Sequence, residues 1–146
     1  MITTKENIIQ YFQRGIKNKN NLKIGVEHEK FIFNKLRKRV NYQTINKIFD
    51  LFKNFGWHPI FEGNDIIALK KNDQKITLEP GNQIELSGAR LNNIHEICKE
   101  AHDYIFELKQ ISSKLNLKII SLGFDPISKL NEIPSNPKKK IWNNDK

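Results

Sequence analysis

Glutamates recur in two short, regular patterns in this chain. The segment Ile24-Gly25-Val26-Glu27-His28-Glu29-Lys30-Phe31 places acids at 27 and 29, and the segment Ile76 to Ser87 places them at 79 and 85. Alternate side chains of a strand share a face, so Glu27 and Glu29 stand together about 6–7 Å apart, with Ile24, Val26 and Ile32 turned to the core. In the second segment Ile76, Leu78, Ile84 and Leu86 share a core face only if an odd number of residues makes the turn, as Pro80-Gly81-Asn82 does. Thr77, Glu79, Gln83 and Glu85 then share the opposite face. A two-residue turn would bury one carboxylate at a cost of roughly 2–7 kcal/mol or more.

Either pair alone is an ordinary polar face of a half-exposed strand. Two pairs on one sheet, each beside a glycine that opens space, would repel and raise each other's pKa unless a cation compensates. Hard oxygen donors without a neighbouring cysteine suit magnesium or manganese. Lys70 and Lys75 flank the turn before the acidic hairpin; Lys70, with Gln83 between the acids, is a candidate contact for an anionic ligand, and surface lysine is the alternative. His95, Cys98 and His102 lie at helical spacing and read as helix packing, with no fourth zinc ligand in view. His28, between the two acids, falls on the core side and reads as a satisfied structural histidine.

These residues need elements to hold them. Thr4 precedes an amphipathic helix with Ile8, Ile9, Phe12 and Ile16 on one side, ended by Gly15 and the Asn18–Asn21 stretch. A strand covers 24–33, and a helix with Ile45, Ile48, Phe49, Phe52 and Phe55 closes at Gly56. Three short strands follow at 66–70, 75–79 and 83–87, separated by turn residues and read as an antiparallel meander. A long helix over 91–115 carries Leu91, Ile94, Ile97, Cys98, Ala101, Ile105, Leu108, Ile111 and Leu115 as its stripe. A last strand spans 118–124, and the lysine-rich tail from Ser128 has no segment expected to pack. The order predicts an α+β fold, a mainly antiparallel sheet with helices on one face.

With 146 residues, 38% hydrophobic and 10% aromatic, the chain can build one core. No repeat or linker divides residues 1–146. No stretch has the length or apolarity of a membrane span, and a single cysteine, Cys98, points to a cytoplasmic setting. The net charge of +9 raises nucleic acid as a partner. Yet the lysines are spread out, and the denser Lys35–Arg39 and Lys138–Lys140 clusters have no interleaved aromatics. A basic, non-catalytic binding module is therefore the second reading, with nucleic acid disfavoured.

Residues 24–31, IGVEHEKF, and 62–89, EGNDIIALKKNDQKITLEPGNQIELSGA, followed by LGFDP at 122–126, resemble the plant and proteobacterial type of glutamate-cysteine ligase. The resemblance covers nearly the whole chain but only the N-terminal portion of a family member. It implies a glutamine-synthetase-like catalytic domain, here truncated and expected to be inactive without the C-terminal part of the same enzyme. It further implies that Glu27, Glu29, Glu79 and Glu85 hold Mg2+ (or Mn2+), and that ATP is the co-substrate. The implied reaction joins the γ-carboxylate of glutamate to cysteine through a γ-glutamyl phosphate, the first step of glutathione biosynthesis. On this reading Gln83 and Lys70 are the candidate substrate or ATP contacts. The chain departs from the family pattern at Val26 for threonine, Asn82 for a second glycine, Arg90 for proline and Pro126-Ile127-Ser128 for Pro-Lys-Trp, and its tail lacks the Met-Pro-Lys-x-Arg-Tyr pattern.

Overall fold

Each helix begins at a side chain that accepts the first free backbone N–H groups. The computed structural model describes residues 4–137. Among them are three α-helices and six strands: α1 (Lys5–Arg14), β1 (Glu27–Phe33), α2 (Tyr42–Phe52), β2 (His58–Glu62), β3 (Asp65–Lys71), β4 (Gln74–Glu79), β5 (Gln83–Ser87), α3 (Ile94–Leu115) and β6 (Lys118–Ile120). Thr4, Asn41 and Asn93 cap the three helices by accepting from Asn7, Thr44, and both His95 and Glu96. After α2 a short 3-10 turn ends at Gly56 in the left-handed region, as its place in the sequence predicts.

The strands form one antiparallel sheet in the order β2-β3-β4-β5-β1-β6. The core lies on one side of it. Ile45, Ile48, Phe49 and Phe52 of α2 and Tyr104, Leu108 and Ile111 of α3 pack with Ile32, Leu69, Ile76, Leu78, Ile84 and Leu86 of the sheet, all buried. The expected α+β class with helices on one face is what the chain adopts.

Several local expectations give way. Strand β2 was not foreseen; it is an edge strand, where a proline is tolerated, and its register with β3 shifts between Ile60 and Phe61. Ile24 makes only an isolated bridge to Leu91 and is 47% exposed, so the core side of β1 begins further along the chain. The expected last strand stops at Ile120. Helix α1 forms where expected, yet none of its residues is buried.

The buried face of α3 is rotated from the all-apolar stripe. Ile97, Glu100, Tyr104, Glu107, Leu108 and Ile111 are buried, whereas Ile94, Cys98 and Ile105 are exposed. Two glutamates can replace apolar residues there because donors await them: Trp57 Nε1 and Lys71 Nζ each reach Glu107 at 2.7 Å, and Gln74 and Ala89 reach Glu100. The tail also packs, contrary to expectation. Ile133 lies against Gly81 and Asn136 Nδ2 donates to the Glu79 carbonyl at 3.0 Å, while Leu130 stays 88% exposed.

Candidate functional site

The turn parity inferred from the sequence holds: Glu79 pairs with Gln83 across Pro80-Gly81-Asn82, and Thr77 pairs with Glu85. Strand β1 runs beside β5 with Glu29 opposite Glu85 and Glu27 opposite Ser87. Glu27, Glu29, Glu79 and Glu85 therefore converge on the face of the sheet away from the helices. Adjacent strands lie about 4.8 Å apart, so Glu29 and Glu85 are like charges set directly across one ladder.

The electrostatics follow from that register. Burial raises the Glu85 carboxyl above the usual carboxylate range; the Ser87 hydroxyl, donating at 3.0 Å, pulls the other way, and the charges of Glu79, Glu27 and Glu29 push it further up. Gln83 donates through Nε2 to Glu29, tying the two strands on the acidic side. Lys70 is exposed and stands opposite Lys75, which pairs with Ser87 and so belongs to the row of Glu27. Both sequence candidates for contact with an anionic ligand thus lie on the same face as the acids. Beside β1, a broad open depression of about 560 Å³ is bordered by Glu27, Glu29, Lys30 and the Ser121–Gly123 segment.

The face is not uncovered throughout. Past Glu29, Phe31 and Phe33 are buried beneath Arg39, whose guanidinium carbon lies 4.8 and 5.8 Å from their ring centroids. Arg39 donates to the Gly81 carbonyl at the hairpin tip and pairs with Asp125 at 2.9 Å, the two side chains being 2% and 9% exposed. Burial alone would raise the Asp125 carboxyl; the Ser128 and Ile127 amides, Arg39 and the Ser128 side chain outweigh it and hold it well below the usual range. Arg39 is thus withdrawn from the Lys35–Arg39 cluster as a surface phosphate contact, and Lys138–Lys140 lies outside the described residues. Sequence reasoning missed this pair. Its one visible sign was the LGFDP motif at 122–126, where Asp125 reads as a turn residue.

Behind the acids, on the helix side, the roles also differ from expectation. His28 does point toward α3, but its buried Nε2 has no hydrogen-bond partner among the described residues, so it is not the satisfied histidine expected. Burial first, then the Lys30 charge, lower its pKa, with Glu100 opposing. Lys30 is buried with Nζ 2.5 Å from Ser121 Oγ, and burial lowers its pKa. Cys98 and His102 are exposed on α3 rather than packed.

As they stand, no three His, Cys, Asp or Glu side chains among the described residues are gathered closely enough to hold a metal ion. The donor set nevertheless suits a hard divalent cation: carboxylates on neighbouring strands, mutually repelling, with the exposed Glu27 and Glu29 on long rotatable stems. Among the described residues no helix is long and apolar enough to cross a membrane.

A packed helical layer behind a sheet whose front carries converging acids defines an α+β domain with one acidic open face. Residues 23–142 match glutamate-cysteine ligase family 2, and the chain belongs to that family. It is 39% identical over 137 residues to glutamate-cysteine ligase A, chloroplastic, of Oryza sativa subsp. japonica, and 37% identical over the same length to the chloroplastic glutamate-cysteine ligases of Arabidopsis thaliana and Brassica juncea. The aligned region is 92% of this chain but 26–28% of those proteins. The chain therefore spans little more than a quarter of the length of these relatives.

The cytoplasmic setting expected from composition is corrected by the same comparison, since these relatives are chloroplastic by name. A lone cysteine speaks to redox chemistry and carries no address, so it could not separate one reducing compartment from another.

Proposed function

We propose that this chain supplies the metal-binding wall of an ATP-dependent glutamate-cysteine ligase, within a glutamine-synthetase-like catalytic domain completed by further residues of the same enzyme. The observation that carries the reading is the register that sets Glu29 against Glu85, with Glu27 and Glu79 on the same face. Like charges across a ladder are destabilising by themselves, and a divalent cation turns that repulsion into affinity. Family membership supports ligase chemistry on glutamate and cysteine in glutathione biosynthesis, with ATP as the proposed co-substrate.

Glu27, Glu29, Glu79 and Glu85 would hold Mg2+ or Mn2+, which when bound neutralises phosphate charge and orients the transferring group. The residues of this chain have their own parts. Gln83 fixes one Glu29 oxygen. Lys70 and Lys75, at the end of the acidic rows, offer cationic contacts to phosphate oxygens. Arg39 and Asp125 set the hairpin tip, and the buried Phe31 and Phe33 close that end of the face to water.

Manganese titration of the 146-residue protein, followed by its electron paramagnetic signal, tests this reading. Binding is expected, and Glu29→Gln and Glu85→Gln are each expected to weaken it about tenfold or more while the far-UV spectrum is unchanged. No binding, or wild-type affinity in both variants, refutes it.

A further inference from the structure

On the helix side of the sheet, Glu100 of α3 is 6% exposed and makes no salt bridge among the described residues. Its Oε2 accepts from Gln74 Nε2 at 2.6 Å and from the Ala89 amide at 2.8 Å. Gln74 opens β4, and Ala89 lies two residues past the end of β5. At the same place Gly88 N donates to the Val26 carbonyl at 2.8 Å, carrying the β1–β5 ladder one step beyond Glu27 and Ser87. The carboxylate lies so close against Gly88 that a side chain there would collide with it, and would also meet Val26 O at 3.0 Å. One buried acid thus touches the roots of β4 and β5, and reaches the root of β1 through the Gly88–Val26 hydrogen bond.

A carboxylate buried without a cation is a costly device for holding a loop. Its neighbour two turns along, Glu107, is held by Lys71 and Trp57 and, among the described residues, hydrogen-bonds to neither Gln74 nor Ala89. We infer that Glu100 is a positioning residue: from behind the sheet it fixes the lateral spacing between β1 and the β4–β5 hairpin, and so the distance at which Glu27 and Glu29 face Glu79 and Glu85. The inference rests on the metal-binding reading above. At the far end Arg39 holds the Gly81 carbonyl, so the hairpin is secured at tip and root, and only the root is governed from the helix layer. An acceptor-only group suits the position, because both neighbours it satisfies are donors.

The experiment compares Glu100→Ala, Glu100→Gln and Glu107→Ala in the 146-residue protein, at a temperature where circular dichroism finds all three folded. Manganese affinity is expected to fall about tenfold in Glu100→Ala, by less in Glu100→Gln, which keeps an acceptor, and to stay within about twofold in Glu107→Ala. Equal losses in Glu100→Ala and Glu107→Ala would reduce Glu100 to a general packing role and overturn the inference, as would unchanged affinity in Glu100→Ala. If the wild-type protein takes no manganese, the metal reading has failed, and amide exchange then judges the brace alone. Protection at Gly88 and at the β1–β5 ladder should drop selectively in Glu100→Ala, and unchanged protection there would refute it.

Discussion

Carboxylates occupy two regions of this molecule under opposite rules. On the helix side and at the covered end, Glu100, Glu107 and Asp125 are buried, and each has at least two donors: backbone amides, an indole, a lysine, an arginine. On the open face, Glu29 and Glu85 stand across a ladder from one another and draw on one neutral donor each, Gln83 and Ser87. The first group is anchored by donors of the fold, although Oε1 of Glu100 is buried without a hydrogen-bond partner among the described residues. The second is held together by the fold against its own repulsion, which is how a site differs from a strut.

The sharpest way to break that contrast is to remove a strut. Arg39→Ala leaves Asp125 and the Gly81 carbonyl buried without their partner, and is expected to cost about 3–5 kcal/mol in urea unfolding. A cost under about 1 kcal/mol would show that the covered end is not held by this pair. Glu107→Ala should come next, at about 2–3 kcal/mol, since it strips Trp57 Nε1 and Lys71 of their acceptor; near-wild-type stability would place water there instead. Gly81→Ala should cost about 1–3 kcal/mol, because the backbone is left-handed at φ +71 and the added carbon would lie 2.7 Å from Ile133.

The smallest effect has the opposite sign, and for that reason tells the regions apart best. Without metal, Glu85→Gln is expected to stabilise the protein by about 0.2–1 kcal/mol at neutral pH, by removing one of two facing charges. The pH profiles should diverge in the same way. Asp125 is depressed in the folded state, so its contribution is present above its unfolded pKa and is lost as pH falls below about 4; Asp125→Asn should flatten that acid limb. Glu85 is raised, so its contribution is full below its unfolded pKa and is lost as pH rises through its folded pKa. Glu85→Gln should remove that decline, and a decline unchanged in the variant would mean that other groups cause it.

What the sequence disclosed was governed by periodicity. Period-two alternation and turn parity were enough to put Glu27, Glu29, Glu79 and Glu85 on one face, because a slip of one residue would have buried a charge. Periodicity failed where polar residues go inside. Glu100 and Glu107 look like solvent positions until Gln74, Ala89, Trp57 and Lys71 are known to be waiting across the interface, and those donors lie 11 to 50 residues away. Arg39 was hidden for the same reason: inside a basic run nothing distinguishes the one cation whose partner sits 86 residues further on.

The sheet order carries a consequence for synthesis. Strand β1 leaves the ribosome first among the strands but lies between β5 and β6, the last two to be made. At about 5–20 residues per second it waits some 3–10 seconds for the roughly 50 residues that separate it from β5. Throughout that interval Phe31, Ile32 and Phe33 are a nascent apolar run with no lateral partner. A cell making this chain must shelter that run until its neighbours arrive, and the acids at 27 and 29 just ahead of it keep the waiting strand charged and in solution.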